Sequence, residues 1–226
     1  MKKRLGEWSF SVSFSLFTFF SIILIFSFST YFYAFEFKKN NVYVEFKEPS
    51  RIINERGKEI INYLDNNITS LDPTFFSEQA ILHMVDVKVL INWVKRLQYL
   101  SAFFSLLGFI FFSCKKQWGK LKSCFLKSGF LNIGFVVLIF FTTFFSWDYA
   151  FTKFHHIMFS NELWLFDPSD NLIKMLPAEF FQDLVMWIGF SIILVGLIYV
   201  FLGFVLFTFF KNYVIFLSNR PKGRKK

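Results

Sequence analysis

The sequence predicts an α-helical integral membrane protein: four transmembrane helices, with a small extracytoplasmic α+β domain between the first and second. Three observations carry that prediction. The 226 residues are 54% hydrophobic and include 38 Phe. A soluble domain of this length is far less apolar, so lipid has to cover much of the surface. Four runs reach the roughly 20 apolar residues that a helix needs to cross a hydrocarbon core. The basic residues gather at the ends of alternate runs, which is the pattern of membrane topology. The net charge of +9 therefore reports orientation. No basic–aromatic module for RNA or DNA is visible, and no nucleic-acid partner is expected.

Residues 1–36 comprise a cytoplasmic start (Lys2, Lys3, Arg4) and the first span, which carries no charge from Trp8 to Phe35. That run is longer than the apolar core of a secretory signal and lacks a small-x-small cleavage site, so it reads as an uncleaved helix. Its end, Tyr31-Phe32-Tyr33-Ala34-Phe35, reads as an interfacial aromatic belt. Residues 37–96 form the outer domain. Alternation over Asn41-Val42-Tyr43-Val44-Glu45-Phe46 predicts a strand, which Pro49-Ser50 ends. Ile52, Ile53, Ile60, Ile61 and Leu64 then fall at helical spacings and predict an amphipathic helix within 51–66. A second helix starts at Ser77, a candidate N-cap with Glu78 in the first turn. On it Gln79, His83 and Asp86 share one stripe through i+4 and i+3 spacing. The other faces are mostly apolar, which fits a helix at the membrane interface or one packed on another domain.

Residues 97–147 contain the second and third spans, Leu97–Cys114 and Phe130–Trp147. Between them lie Lys115, Lys116, Lys120, Lys122 and Lys127, with no acidic residue. Residues 148–183 form a second outer loop that carries His155 and His156. Residues 184–210 are the fourth span. Residues 211–226 are a basic tail, read as an anchor facing anionic lipid. In the start, the Lys loop and the tail, Glu7 is the only one of 16 acidic residues. The positive-inside rule then puts both termini and the Lys loop in the cytoplasm and both histidine-bearing regions outside. Cys114 and Cys124 lie in or beside the Lys loop, so no disulfide framework is expected.

This topology puts all three histidines, His83, His155 and His156, on one side of the membrane. A neutral imidazole is a competent general base near pH 7. Asp86, one turn after His83, has the position to fix its tautomer. Neighbours on a helix point about 100° apart, so only one of His155 and His156 would face a shared site. The plainer reading of each histidine is a satisfied packing residue. There is no G-x-S-x-G, no serine in a nucleophile elbow and no cysteine in these regions. An enzyme built this way takes its nucleophile from the substrate. A zinc site from His83, His155 and Asp86 has no H-E-x-x-H or comparable spacing behind it, and no metal or other cofactor is expected. Phe159, Trp164 and Phe166 read as interfacial anchors. Asn161 reads as turn chemistry, with the capacity to donate to an oxyanion. Leu172, Ile173, Met175 and Leu176 form a short apolar segment expected in the outer headgroup layer. Pro177 and Glu179 restart a helix that becomes the fourth span.

Two stretches, His83-Met84-Val85-Asp86-Val87 and Phe154 to Phe181 (FHHIMFSNELWLFDPSDNLIKMLPAEFF), resemble the lipoprotein intramolecular transacylases, a bacterial four-span family. The four-span plan extends the resemblance over essentially the whole chain. Met158 departs from the Phe usual at that place, a packing change. In the family pattern the histidine directly follows a Phe, which selects His155 over His156. The resemblance implies a substrate: a diacylglyceryl-modified bacterial lipoprotein in the outer leaflet of the plasma membrane. The sn-2 acyl chain would pass from its glycerol to its own N-terminal α-amino group, leaving the lyso form and consuming no external donor. His83 and His155 would be the acid–base pair, Asp86 the orienting group, and His156, Phe159, Asn161 and Trp164 substrate-binding or supporting residues. Two competing readings are a non-enzymatic envelope protein whose outer domain binds a partner, and a zinc-dependent membrane hydrolase.

Overall fold

The computed structural model describes residues 2–218. Met1 and residues 219–226 of the basic tail lie outside the described residues. The helices are α1 Lys2–Ser27, α2 Thr30–Lys39, α3 Val42–Phe46, α4 Ser50–Leu64, α5 Glu78–Cys114, α6 Trp118–Phe145, α7 Trp147–Met158, α8 Asn171–Met175 and α9 Ala178–Ser218. Among the described residues, four segments are long and apolar enough to cross a membrane: Leu5–Ser27, Glu78–Cys114, Trp118–Phe141 and Ala178–Val205. A helix of 37 residues such as α5 is about 55 Å long, well beyond the roughly 30 Å of hydrocarbon. Its charge-free portion is Leu97–Cys114. Glu78, Asp86, Lys88, Lys95 and Arg96 precede that portion, so the His83 end lies outside the spanning segment.

The chain divides into two compact units. One comprises Met1–Phe19, Gln98–Val136 and Ile192–Lys226, and the other Phe20–Leu97 and Val137–Ser191. The first has a small core of Phe10, Phe112, Leu121 and Cys124. Hydroxyl groups join its helices: Ser128 Oγ donates to the Ser11 carbonyl at 3.1 Å, and Thr18 Oγ1 meets Tyr199 Oη at 2.7 Å. Lys127 Nζ pairs with Glu7 at 2.8 Å. Cys114 and Cys124 are both free thiols.

The second unit has the larger core. Phe37, Ile53, Ile60, Leu71, Phe76, Ala80, Met175 and Phe180 are all closed off from solvent. The amphipathic helix expected after Pro49 is α4, with Ile53, Ile60, Ile61 and Leu64 inward. The expected cap of α5 forms as well, since Ser77 Oγ accepts from the Ala80 N–H at 3.0 Å.

Three expectations are corrected here. The outer region is not α+β: no strand occurs among the described residues, and the segment predicted to be one is the single-turn helix α3. Val42 is buried while Val44 and Glu45 are exposed, which is not alternation between two faces. Left-handed residues bracket the turn, Asn41 at φ 56° and Lys47 at φ 53°, and there is no partner strand to take up an extended backbone's hydrogen bonds. The first span also ends earlier than Phe35. Ser29 Oγ accepts from the Phe32 N–H at 3.1 Å and caps a new helix, α2. Phe32 and Tyr33 then turn into the core instead of forming an interfacial belt, while Tyr31 stays exposed. Finally, Leu172, Met175 and Leu176 are core residues and not a headgroup-layer segment. Asp170 caps this turn by accepting from the Leu172 N–H at 2.8 Å, and Asn171 Nδ2 donates to the Phe75 carbonyl at 2.7 Å.

Candidate active site

His83 and His155 come together in the second unit. His83 projects from the second turn of α5. His155 projects from the last turn of α7, an amphipathic helix capped by Ser146. The two rings lie 6.3 Å apart between centroids, at an interplanar angle of 30°. Each residue is only 8% exposed. His156, next in sequence, is exposed. One residue of helical rotation separates the two, so only His155 turns inward.

Aromatic rings build the rest of the pocket. Phe159 and Phe166 meet His83 edge-on at 5.2 and 5.4 Å. Phe151 lies 4.2 Å from His155, and Trp164 stacks on it at 4.7 Å and 28°. The edge of His156 reaches the same Trp164 ring at 5.3 Å. Phe159 and Trp164 are each 9% exposed. The reading of these two as interfacial anchors is therefore overturned, since both are buried against imidazole rings. Phe166 is likewise part of the pocket wall.

The polar stripe of α5 holds the segment after α7. Gln79 Nε2 donates to the carbonyls of Leu163 at 3.0 Å and Leu165 at 2.9 Å, on either side of Trp164. Asn161 Nδ2 donates to Asp86 Oδ2 at 2.8 Å, and Asn161 Oδ1 accepts from the Leu163 N–H at 3.1 Å. Asn161 is thus committed to turn chemistry and to Asp86. Asp86 makes its hydrogen bond to Asn161 and not to His83, so it fixes the loop and not the His83 tautomer. The clamp residue Gln79 and the ring of Phe151 were given no role from sequence. The stripe spacing pointed to Gln79; nothing local distinguished Phe151.

The two imidazoles differ electrostatically. His155 Nδ1 lies 2.8 Å from the Phe151 carbonyl oxygen. A carbonyl only accepts, so Nδ1 carries the proton and the lone pair of the neutral ring sits on Nε2. Burial lowers the His155 pKa below 6.5; the nearby His156 adds to that and the Phe151 bond opposes it. Burial pushes His83 further, down to about 4, with His155 acting in the same direction and Asp86 against it. Both rings are therefore neutral at pH 7. His83 Nδ1 and Trp164 Nε1 are buried without hydrogen-bond partners. Among the described residues no three His, Cys, Asp or Glu converge as a metal-ligand group.

Membrane-length helices and an aromatic pocket around two neutral imidazoles define a polytopic membrane protein with a paired-histidine site. The family model described as lipoprotein intramolecular transacylase Lit matches residues 8–181, and the chain belongs to that family. It is similar to the solved structure of the integral membrane Lit of Bacillus cereus, with a TM-score of 0.84 and 25% identity over 92% of this chain and 97% of that one. Two structures of the same Bacillus cereus protein with one histidine mutated, to Arg or to Ala, share the fold at TM-scores of 0.81 and 0.80 and 24% identity. They cover 93% and 92% of this chain and 94% of each of theirs. A curated relative, an uncharacterized protein of Aquifex aeolicus (strain VF5), is 24% identical over 128 residues, 57% of this chain and 56% of its own length. The chain thus spans little more than half of that relative. The protein is an integral membrane protein of a transacylase family.

Proposed function

We propose that the protein moves the sn-2 acyl chain of a diacylglyceryl-cysteine lipoprotein onto that lipoprotein's own α-amino group. The observation that carries this reading is the pocket. Two buried, neutral imidazoles meet there inside a wall of aromatic rings, and the segments 37–96 and 148–183 that supply them hold no cysteine. Such a site suits a reaction whose nucleophile and electrophile both arrive on the substrate. The free α-amino group has a pKa near 8. As its nitrogen bonds to the ester carbonyl carbon, His155 Nε2 takes the proton. When the glycerol C–O bond breaks, the protonated ring returns that proton to the departing oxygen. His83 remains neutral and contributes an N–H to the reacting oxygens; its low pKa argues against a role as a preformed imidazolium. Asp86, through Asn161, and Gln79 position the 161–165 loop over His155. Both reacting groups belong to one anchored molecule, so folding them together and excluding water supplies much of the rate.

The charge bias supports a reading with the termini in the cytoplasm and the histidine pocket outside, facing lipoproteins in the outer leaflet. A membrane-impermeant thiol reagent should then fail to label exposed Cys114 in intact cells and label it after permeabilisation; labelling of intact cells would reverse the orientation. The reaction is tested by expression in a bacterial host lacking lipoprotein N-acylation, with mass spectrometry of lipoprotein N-termini. One acyl chain should move from glycerol to nitrogen at constant mass. His83→Ala or His155→Ala, inserted at wild-type levels, should reduce product by about 100-fold or more. Full lyso-form product from either variant would sink the assignment.

A further inference from the structure

Trp164 is held both through its backbone and through its ring. Gln79 uses both hydrogens of its amide to fix the carbonyls immediately before and after it. The indole face lies on His155 and a His156 edge closes on the ring. Despite this, Nε1 is buried with no acceptor. An indole nitrogen is a donor only. Leaving a buried donor unmatched costs about 1–3 kcal/mol, and native structures satisfy nearly all such groups. A rotation of the ring to find a partner is prevented by the clamp and by the stack. The N–H is thus buried, unmatched and carried on the ring that stacks against His155, a placement that suits an oxyanion donor.

Resting on the transacylase reading, we propose that the Trp164 indole N–H donates a hydrogen bond to the carbonyl oxygen of the reacting ester. As the amine nitrogen adds to the carbonyl carbon, the C=O π pair moves onto that oxygen, which gains negative charge facing Nε1. Collapse restores the C=O and expels the glycerol oxygen, which is protonated by His155. The indole keeps its hydrogen throughout. Its contribution is larger in the tetrahedral state than in the ground state, because the charge it faces exists only there. His155, stacked on the same ring, is the group that removes the amine proton, so the donor and the base are fixed relative to each other. Gln79 is the positioning residue that keeps the donor in place.

The test uses the full-length protein in proteoliposomes with a synthetic diacylglyceryl-cysteine lipopeptide. Trp164→Phe removes the N–H and keeps an aromatic face. Incorporation of β-(3-benzothienyl)alanine at 164 replaces only the N–H by sulfur and preserves the ring shape. Both should lower kcat by about 100- to 1,000-fold with KM within threefold, and thermal unfolding and the acid limb of the pH profile should stay at their wild-type positions. Wild-type turnover with full activity in the benzothienyl protein overturns the proposal, because shape and not the N–H would then suffice. A Trp164→Phe loss confined to KM, or matched by unfolding, overturns it as well. If wild type itself leaves the lipopeptide unchanged, the transacylase reading fails and takes this inference with it.

Discussion

The two units put buried polar groups to opposite use. In the first, hydroxyls tie helix to helix: Ser11 to the Cys124 carbonyl, Ser128 to the Ser11 carbonyl, Thr18 to Tyr199. Its orphaned atoms, Ser113 Oγ and Asn132 Nδ2, are a hydroxyl and one end of an amide whose oxygen accepts from Ser15. In the second, polar side chains hold a loop by its backbone, and two of the orphaned atoms, His83 Nδ1 and Trp164 Nε1, belong to rings packed around His155. Polar groups that assemble helices use their hydrogen bonds within the protein. On the proposed function, the unmatched groups around His155 are kept for the substrate. Substitutions in the first unit should therefore act on folding, and those in the second on rate at nearly constant stability.

Gly129→Val is the most severe way to test that contrast. A Cβ on Gly129 would fall 2.6 Å from the Gly196 carbonyl oxygen and 2.7 Å from Val200 Cγ2. The first contact is backbone, so it cannot be relieved by a rotamer change. Small residues that let two membrane helices approach this closely do not tolerate branching. We expect a loss of about 3 kcal/mol or more, read as a fall in the thermal unfolding midpoint in detergent, with activity lost in proportion to folded protein. A Gly129→Val protein of wild-type stability would show that α6 and α9 do not depend on this approach.

Asn161→Ala should produce the next largest effect, with the opposite signature. It removes the charge-assisted bond to Asp86 and the cap on the Leu163 N–H. Bonds of that kind contribute about 1.5–3 kcal/mol, and here the cost should appear as a roughly tenfold or greater drop in turnover with a small change in unfolding midpoint. Asp86→Ala should do the same. The double substitution should cost little more than either alone, because the pair acts as one tie. Additive losses would separate Asp86 from the loop.

That tie also marks where sequence reasoning stopped. Hydropathy and charge placement locate four spans, and the i, i+4 stripe of α5 puts Gln79, His83 and Asp86 on one face before any coordinates. What the stripe faces is a tertiary fact. The Asp86 carboxylate lies one turn from His83 on the helix, yet it meets Asn161 across the pocket. The alternation at 41–46 is a local pattern without a pairing partner, and it yields to the helical turn bounded by Asn41 and Lys47. Trp164 and Phe159 look like membrane anchors because aromatic residues near a span usually are; only the 155–166 turn reveals that both are buried against histidines. Tyr31 and Phe32, adjacent in sequence, have opposite fates, because the Ser29 cap starts a new helix whose rotation decides between them.

The pH profile sharpens the contrast on the functional side. Both imidazoles titrate below 6.5, His83 near 4. With His155 as the proposed base, turnover should hold at pH 7 and fall as pH drops through the lowered His155 value. The upper limb should rise toward about pH 8 with deprotonation of the substrate amine. Stability follows by linkage. A histidine whose folded pKa is depressed leaves the folded state with fewer bound protons than the unfolded state between the two values. Its contribution is intact above about 6.5 and is lost as pH falls toward 4. The unfolding midpoint should therefore decline over that window, and His83→Gln should flatten the decline. An equal slope in that variant would remove His83 as its origin.

His156→Ala should have the smallest effect, and its direction discriminates between roles. His156 is exposed and reaches the pocket only through its edge on Trp164. It makes no hydrogen bond in the described structure, so its loss should change kcat by less than about threefold, within the range of surface substitutions. Its charged form opposes protonation of His155. Removing it should move the acid limb of the rate profile to higher pH, toward an ordinary imidazole, without lowering the plateau. A collapsed plateau would mean that the second histidine of the pair handles protons itself, and the assignment of His155 as the base would have to be shared between them.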